Sequence, residues 1–358
     1  MEKIKVNIGS NGYEIRVGAG LLRQVGCWLK EQGFSGKLVI ITNPVVNKLY
    51  GDVLNQALAA EGFTVTILQV PDGEDQKSLE TAGRLYQELT DAYAERNTPV
   101  LALGGGVIGD LAGFVAATYM RGVPLVQVPT TLLAQVDSSI GGKVAVDHGH
   151  LKNKIGVFYQ PSMVVTDIAT LQTLPDRELA SGLAEVIKSA AIRDRVLFTF
   201  LEGNLDRVKA RDGEALEQVV LRTAKIKAGV VEQDERDYGL RHILNYGHTI
   251  GHAVETVSEF GVEHGRAVAV GMLAAARISH EMGILGEGEV TRLKSMIGRA
   301  GLPVEIPGLE IDRVLAAIKH DKKVQQNKAR FILLKSIGDA FIIDEVSLSL
   351  VERVLRGE

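Results

Sequence analysis

The 358-residue chain has a single cysteine, Cys27, and this scarcity excludes an intramolecular disulfide. One thiol in a chain of this length suits a reducing compartment, so we expect a cytoplasmic protein. A strong charge of either sign is also lacking, because the formal net charge is only -4, and this gives no general attraction to nucleic acid. Anion binding must therefore come from lysines and arginines at particular places, and we expect small-molecule partners.

Long hydrophobic runs are absent as well. Residues 1–5 contain no apolar signal core, and the apolar stretches near Gly104 and Ala267 are interrupted by Asp110 and Arg277 before they reach membrane-spanning length. We therefore expect neither secretion nor membrane insertion. The hydrophobic fraction of 46% still suffices for a large core, and the length favours two domains. Because no repeat or low-complexity linker separates them, we expect the two halves to pack closely with a cleft between them.

The first half of the chain alternates short β-branched strands with helical patterns, which is typical of an α/β fold. The first helix of this set is predicted over residues 43–61, because Asn43 is a good N-cap and Pro44 suits the first turn. The predicted strands are residues 37–42, 63–70, 100–103 and 163–167.

From about residue 176 the hydrophobic period changes to that of long amphipathic helices, so the second half is predicted to be mostly helical. A late β-rich segment around Gly338 and Asp339 predicts a hairpin before a last helix. The predicted helices are residues 177–192, 213–231, 240–260, 266–282 and 287–300, and the hairpin strands are 329–334 and 340–344.

The most informative motif lies where an apolar strand runs into clustered glycines. Gly104, Gly106 and Gly109 satisfy the pattern G-x-G-x-x-G, in which missing side chains permit a tight turn and let helix N-terminal amides face a pyrophosphate. The acid that usually follows about twenty residues later is missing, because the next apolar strand ends in Thr130 and Thr131. The run predicts either a nucleotide held in an unusual way or an ordinary strand-to-helix turn with glycines for close packing.

A second group of residues has the composition of a metal site. His248 and His252 lie one helical turn apart and share a face, and His264 lies at the start of the next predicted helix. Glu185 is a charged residue in a small and apolar helix, with Lys188 on the same face, and such a carboxylate is costly unless it is paired or ligates something. These residues indicate a catalytic zinc site with an open position, or else surface histidines and a surface glutamate.

The segment 137–161 has more glycines and lysines than simple packing requires, and it resembles an active-site loop. Lys143, Lys152 and Asn153 could hold a phosphorylated substrate, although solvated loop lysines also explain each position taken singly.

Two shorter segments allow the same two interpretations. Lys322 and Lys323 could contact a substrate or could be solvated. Glu74 and Lys77 follow a strand end and lead into a helix, so they could meet a ribose or phosphate, or could simply cap that helix.

Taken together and in this order, these motifs resemble the 3-dehydroquinate synthase family of the sugar-phosphate cyclase superfamily. The resemblance covers nearly the whole chain, and it is more specific than any single motif because chance would have to supply every segment at a compatible spacing. The matching segments are 71–74 with Lys77, 104–110, 129–137, 141–143, 174–175 with Arg177 and Glu178, and 245–249.

The resemblance implies an α/β, Rossmann-like NAD-binding domain over residues 1–175, followed by a mostly α-helical metal- and substrate-binding domain over residues 176–358. It also implies a homodimer with its active site in the cleft between the domains. The implied activity is conversion of 3-deoxy-D-arabino-heptulosonate 7-phosphate to 3-dehydroquinate and phosphate. This is the second step of the shikimate pathway, and the implied cofactors are catalytic NAD and one divalent metal, zinc or cobalt.

Residue by residue, the resemblance implies three sets of contacts. The metal ligands are Glu185, His248 and His264, while His252 faces the substrate instead. The NAD-binding residues are Asn43, Asp72, Glu74, Lys77, Gly105, Gly106, Val107, Asp110, Thr130, Thr131, Lys143, Lys152, Thr170, Leu171, Gln172 and Thr173. The substrate-binding or catalytic residues are Asp137, Lys143, Asn153, Lys188, Lys227, Arg241, Asn245, His252, Asp237, Arg121, donated across the dimer, and Lys322 or Lys323.

One position departs from the family pattern, because Asp237 stands where the family usually has a glutamate. Its shorter side chain could still accept a hydrogen bond from a substrate hydroxyl or a lysine.

Three other functions compete with the implied one. A cyclase acting on sedoheptulose 7-phosphate would not need the basic cluster around Arg241, because its substrate has no carboxylate. A metal-dependent polyol dehydrogenase would release NADH and would need no phosphate pocket. A non-catalytic NAD-binding protein would have no reason to retain Glu185, His248 and His264 together.

Overall fold

The computed structural model describes residues 1–149, 151–259, 261–306, 308–320, 324–325 and 328–358. No helix in these ranges is both long and apolar enough to cross a bilayer. The strands are β1 Glu2–Val6, β2 Tyr13–Gly18, β3 Lys37–Thr42, β4 Thr64–Gln69, β5 Val100–Gly104, β6 Leu125–Pro129, β7 Lys143–His148, β8 Leu151–Phe158, β9 Met163–Asp167, β10 Val324–Gln325, β11 Lys328–Ser336 and β12 Asp339–Ser347.

The helices include long members in the second half and short ones among the strands. They are α1 Val25–Glu31, α2 Pro44–Val46, α3 Asp52–Ala60, α4 Leu79–Asp91, α5 Gly106–Thr118, α6 Asp176–Arg193, α7 Arg195–Lys209, α8 Gly213–Gln233, α9 His248–Val257, α10 His264–Glu281, α11 Glu287–Arg299, α12 Ile311–His320 and α13 Leu348–Arg356. Two π-helical turns, Asn47–Gly51 and Ala134–Ser138, and short 3-10 turns such as Ile168–Thr173 and Leu240–Asn245 complete the backbone.

Contacts within the chain group it into two compact units. The first unit consists of Met1–Pro175 and Leu216–Arg236, and the second consists of Asp176–Ala215 and Asp237–Glu358. Residues 216–236 belong to the second domain predicted from the sequence, whereas in space they group with the first unit. The two-domain division at residues 175 and 176 itself stays a proposal.

The first unit is built on a seven-stranded sheet of order β1-β2-β9-β6-β5-β3-β4. All neighbouring strands are parallel apart from the β1 and β2 pair. The chain leaves β3 on one side to form β4 and returns on the other side as β5, so β3 and β5 flank the point where the strand order reverses. In open α/β sheets, ligands bind outside the carboxyl ends of the strands at this point.

The central strands of this sheet are apolar at successive positions, which is typical of a sheet with both faces covered. On one face, Leu38 and Ile40 of β3 lie in a core cluster with residues of α1 and α3. On the other face, Val39 and Ile41 lie in a second cluster with residues of α4 and α5. Helices on both faces of a mostly parallel sheet confirm the predicted α/β class.

The second unit is mostly helical, as predicted, with the antiparallel hairpin β11 and β12 as its main sheet. Helices α9 and α10 pack very closely. A Cβ placed on Gly271 of α10 would lie 1.9 Å from the carbonyl oxygen of Gly247, and one on Gly251 would lie 3.1 Å from that of Ala267. The close approach therefore requires glycine. The rings of His248 on α9 and His264 on α10 lie with their centroids 5.3 Å apart.

Two predictions of secondary structure were wrong. The single helix predicted over residues 240–260 is interrupted, because Gly247 adopts a left-handed φ of 80° between the Leu240–Asn245 turn and α9. Part of the loop predicted over residues 137–161 is the hairpin β7 and β8. Most residues of β8 are exposed or half-buried, so its sequence lacks the alternation of apolar and polar residues that indicates a strand. Helix α7 and the β1 and β2 pair were not predicted.

Candidate functional site

Several of the predicted NAD-binding residues of the first unit follow the carboxyl ends of its parallel strands. Asn43 follows β3, Gly105 follows β5, and Thr130 follows β6. Asp72 lies just beyond β4, and Thr170 lies in the 3-10 turn after β9. Because these ends lie at one edge of the sheet, the fold brings together residues from five separate stretches of the chain.

The turn from β5 to α5 has the backbone of an anion site. Gly105 has an extended conformation at the N-cap of α5, and no described side chain caps the helix. The first amides of α5 are therefore open to a ligand, and the helix dipole favours a negative charge there. A Cβ on Gly104 would lie 2.8 Å from Cβ of Ile108, so the strand can enter the helix this tightly only with glycine.

Asn43 and Asp72 contact each other at this edge. Asn43 Oδ1 accepts a hydrogen bond of 2.8 Å from the Val46 amide and so caps α2, and Asn43 Nδ2 donates one of 3.0 Å to Asp72 Oδ1. At the end of β9, the Tyr50 hydroxyl donates to the Thr170 carbonyl oxygen at 2.9 Å and also contacts Thr173. Leu171 is fully buried in the core.

Lys77 is the centre of a buried polar group in the first unit. Its side chain is 5% exposed, and Nζ donates to Asp110 Oδ2 at 2.6 Å and to the side chain of Asn153. Burial opposes the charge of Lys77, but Asp110 outweighs it and raises the pKa of the lysine. Burial also raises the pKa of Asp110, against the attraction of Lys77. Nearby, Lys152 lies 3.9 Å from Glu74 as a partly exposed pair.

Other predicted substrate residues of the first unit lie on different elements. Lys227 of α8 donates to Asp137 Oδ1 at 2.7 Å and to the Asp137 carbonyl at 2.6 Å. Lys143 is exposed at the start of β7. Arg121 is exposed in a corner where its φ is 66° and that of Met120 is 50°.

In the second unit, the structure brings Glu185, His248 and His264 together. Their side chains are 1%, 12% and 34% exposed. Glu185 Oε1 lies 3.9 Å from His248 Nε2 and 3.6 Å from His264 Nε2. The ammonium of Lys188, 2% exposed and one turn further along α6, contacts Glu185 Oε2.

Each of these histidines presents Nε2 to Glu185, while its Nδ1 lies beside another acceptor. His248 Nδ1 lies 3.2 Å from the Tyr246 carbonyl oxygen. His264 Nδ1 lies 3.4 Å from Glu255 Oε2. The Tyr246 carbonyl accepts only from a protonated Nδ1, so its contact favours the tautomer of His248 that leaves Nε2 available as a ligand.

The buried charges of this cluster compensate one another. Burial disfavours the carboxylate of Glu185, but Lys188 and the two histidines hold its pKa well below the usual range. Burial and Lys188 lower the pKa of His248. Burial would also lower the pKa of His264, but hydrogen bonds with Glu185 and Glu255 outweigh it and raise that pKa to about 10. The cluster therefore holds the Glu185 carboxylate charged, with positive charge beside it.

A divalent metal fits this donor set. The ligand atoms of Glu185, His248 and His264 all lie within 4.8 Å of one another. Both carboxylate oxygens of Glu185 are buried, and the Lys188 ammonium and the two imidazoles lie beside them. One carboxylate and two imidazoles with an open position are typical of a catalytic rather than a structural zinc site.

The remaining predicted residues of the second unit have mixed environments. Arg241 is buried at 2% exposure, Asn245 is half-buried, and His252 is exposed. The His252 ring lies edge-on to that of His248, with centroids 5.2 Å apart. Asp237 Oδ1 lies 3.0 Å from His242 Nδ1. The predicted Lys322 and Lys323 lie outside the described residues.

The sequence reasoning did not single out Glu255. This residue lies on the same face of α9 as His248 and His252, and its side chain is 6% exposed. A glutamate seven positions after a candidate ligand repeats two helical turns, so the signal was present in the spacing.

The chain has an α/β unit with a glycine-rich strand-to-helix turn and a helical unit with a buried glutamate and two histidines. These features are typical of metal-dependent enzymes built on a dinucleotide-binding α/β fold. Comparison with known proteins identifies the family within this class.

Two family descriptions match adjoining parts of the chain, 3-dehydroquinate synthase N-terminal over residues 67–181 and 3-dehydroquinate synthase C-terminal over residues 182–324. The 3-dehydroquinate synthase of Desulforamulus reducens is 50% identical over 357 residues, which cover 99% of this chain and 99% of that protein. The chain belongs to the 3-dehydroquinate synthase family.

Two solved structures extend this comparison to related cyclases. 2-Epi-5-epi-valiolone synthase from Streptomyces hygroscopicus subsp. jinggangensis, solved with NAD+ and Zn2+ bound, has a TM-score of 0.90 and 28% identity over 98% of both chains. 2-Deoxy-scyllo-inosose synthase, complexed with carbaglucose-6-phosphate, NAD+ and Co2+, has a TM-score of 0.91 and 28% identity over 99% of this chain and 100% of that one.

Proposed function

We propose that this chain is a phosphate-eliminating cyclase that converts 3-deoxy-D-arabino-heptulosonate 7-phosphate to 3-dehydroquinate and phosphate. The observation that carries the proposal is the buried cluster of Glu185, His248 and His264 with Lys188 beside it, in a chain 50% identical to a 3-dehydroquinate synthase. The 28% identity to cyclases with other products makes the curated relative the better guide to the substrate.

Glu185, His248 and His264 would hold the metal, and the carboxyl edge of the first sheet would hold NAD. When bound, the metal would polarise a substrate hydroxyl, and NAD would accept a hydride and later return it, so that the cycle involves no net oxidation. The protein's own residues bind, orient and neutralise charge around this chemistry.

In the first unit, we assign Lys143, Lys152, Asn153 and Arg121 to the substrate phosphate. Lysine and arginine are the usual partners of phosphate oxygens. When phosphate is eliminated, the bond from carbon to the phosphate oxygen breaks, and the proton of the neighbouring carbon passes to the departing phosphate. The basic side chains stabilise the negative charge that this step concentrates on the leaving group.

In the second unit, we assign Arg241 to the substrate carboxylate, because a guanidinium can donate two parallel hydrogen bonds to it. Asn245 and His252 are assigned to substrate hydroxyls. Lys188, already beside Glu185, keeps that carboxylate ionised and so keeps it able to act as a ligand. Asp237 is oriented by His242, and we assign it the role of the usual glutamate, as an acceptor for a hydroxyl or an ammonium.

The test is an assay of the purified protein with NAD, zinc or cobalt, and 3-deoxy-D-arabino-heptulosonate 7-phosphate. Released phosphate and 3-dehydroquinate are measured together, with sedoheptulose 7-phosphate as the control substrate. We expect equal amounts of both products and no accumulation of NADH.

Other outcomes identify the competing functions. Activity on sedoheptulose 7-phosphate alone would indicate a different sugar-phosphate cyclase. NADH formation from a polyol without phosphate release would indicate a dehydrogenase. Absence of activity on every substrate, with NAD still bound, would favour a non-catalytic protein.

Three finer points belong to the same proposal. The native metal is zinc or cobalt, the assembly is a homodimer to which Arg121 is donated, and the protein resides in the cytoplasm. The exposed corner around Arg121, with two residues at positive φ, supports a contact there. Metal analysis of protein purified without added metal, and its mass in solution by light scattering, test the first two points.

A further inference from the structure

The strongest unassigned feature of the second unit is the carboxylate of Glu255. It is 6% exposed on α9, and Oε2 lies 3.4 Å from His264 Nδ1. The opposite ring nitrogen of His264 lies 3.6 Å from Glu185 Oε1. His264 thus lies between two carboxylates, one on α6 and one on α9.

His264 could bind a metal through Nε2, beside Glu185, or through Nδ1, beside Glu255. The arrangement of the neighbouring His248 favours the first of these. His248 already presents Nε2 to Glu185, with its Nδ1 beside the Tyr246 carbonyl. His264 repeats this arrangement, with Glu255 in the place of the carbonyl. Histidine ligands of metals commonly donate the second ring N–H to a carboxylate or carbonyl, which fixes the tautomer and raises the basicity of the ligating nitrogen.

We propose that Glu255 is a positioning residue of the metal centre, which accepts a hydrogen bond from Nδ1 of His264 and aims Nε2 at the ion held with Glu185 and His248. The proposal rests on the metal centre of the proposed function, and it assigns Glu255 no contact with metal or substrate. The loss of such a partner typically lowers metal affinity about 10- to 100-fold.

A competing arrangement uses the same residues. His252, Glu255 and His264 also bring one ligand atom each within 4.8 Å of one another. There Glu255 would be a ligand and Glu185 would not. The environment favours the first arrangement, because Glu185 is 1% exposed with both carboxylate oxygens buried, whereas His252 is exposed.

The test measures Zn2+ and Co2+ affinity of the full chain by competition with a chelator, together with the visible spectrum of the Co2+ form. The variants are Glu255→Gln, which keeps an acceptor but loses the charge, Glu255→Leu, which loses both, and Glu185→Gln. Glu259→Gln is the control, because Glu259 is exposed just beyond the end of α9.

We expect about a 10-fold loss of affinity for Glu255→Gln and about 100-fold for Glu255→Leu, with the Co2+ spectrum of the tetrahedral or five-coordinate type retained. Glu185→Gln should lose more than either variant, and the control should match the parent protein. Partial rescue by glutamine separates positioning from a merely structural role.

Three results would overturn the proposal. Unchanged affinity in both Glu255 variants would show that His264 needs no partner. A greater loss in Glu255→Gln than in Glu185→Gln would make Glu255 a ligand. Equal losses in glutamine and leucine variants with lowered thermal stability would show a structural role. Absence of metal binding by the parent protein would instead refute the metal centre of the proposed function, so the two failures are distinguishable.

Discussion

Several charged side chains of this protein are buried, and each is stabilised by a neighbouring group of opposite charge or by a hydrogen bond. Lys77 is paired with Asp110 and Asn153 in the first unit, and Lys188 is paired with Glu185 in the second. A buried ion pair adds little net stability, but removal of one partner leaves a charge that water cannot reach. Substitutions at these positions are therefore informative about function and stability at once.

Replacement of Lys77 by methionine should lower the free energy of unfolding by about 3 kcal/mol, because it leaves the Asp110 carboxylate in a largely buried place without its cation. The figure is at the lower end for a broken buried pair, since the Asp110 side chain is still 17% exposed. Urea unfolding measures it. Lys30→Met is the matched control, because the Lys30 pair with Glu61 is exposed and should contribute about 0–1 kcal/mol. Equal effects of the two substitutions would contradict the burial argument.

Replacement of Arg241 by glutamine should reduce kcat/KM for the carboxylate-bearing substrate by roughly 30-fold or more, equivalent to about 2 kcal/mol for an unpaired charge in a dry site. Steady-state kinetics of phosphate release measure the effect. The control is Arg193→Gln, at the exposed end of α6, which should leave kcat and KM unchanged. An Arg241 variant with unchanged KM and turnover would disprove the carboxylate assignment.

At the scale of elements, the two units use glycine where backbones must come close. The turn from β5 into α5 depends on Gly104, and the contact of α9 with α10 depends on Gly247 and Gly271. The second contact matters for the site, because His248 is the first residue of α9 and directly follows Gly247. Helix packing and the position of a proposed metal ligand are therefore linked.

Replacement of Gly271 by alanine should destabilise the second unit by about 3 kcal/mol, the upper part of the range for overpacking, since the new methyl would meet the Gly247 carbonyl at 1.9 Å. It should also weaken metal binding through His248. Gly203→Ala is the control: Gly203 lies inside α7 with open space around it, so alanine should stabilise by about 0.5–1 kcal/mol. Thermal unfolding with and without Zn2+ measures the stability and the metal binding of each variant. A Gly271→Ala protein as stable as the parent protein would refute the close contact.

At the scale of the whole molecule, the units are not two successive stretches of chain. Residues 216–236 return to the first unit and bring Lys227 to Asp137, after α6 and α7 have entered the second. A division of the chain at residue 175 would therefore remove part of the first unit. The second unit contains its own buried charged cluster, in which the Lys188 ammonium contacts the Glu185 carboxylate.

Removal of metal should lower the stability of the second unit selectively, because the ion binds the folded state and neutralises Glu185. At a free Zn2+ concentration about 100 times the dissociation constant, the gain should be about 2.7 kcal/mol. Hydrogen exchange of α6, α9 and α10, with Zn2+ or with a chelator, locates the effect. The Glu185→Gln protein should show almost no difference between the two conditions, and an equal gain in that variant would place the ion elsewhere.

Much of the fold followed from short-range patterns in the sequence. The strands β3, β4, β5 and β9 were predicted because short apolar runs bounded by turn residues are typical of buried strands. The helix over 240–260 was predicted wrongly, because a glycine within a helical pattern is often tolerated and only packing against α10 requires the left-handed Gly247. The β7 and β8 hairpin was missed because its exposed face removes the apolar alternation.

The sequence by itself determined the α/β class, the glycine-rich turn, the family and the set of histidines and glutamate that could bind a metal. These depend on residue types and on spacings of a few positions. Only the tertiary structure decided the distances at which Glu185, His248 and His264 lie, the contact of Glu255 with His264, and the contact of Lys227 with Asp137. Such contacts join segments distant in the chain, and their geometry is set by how helices and strands pack rather than by local sequence.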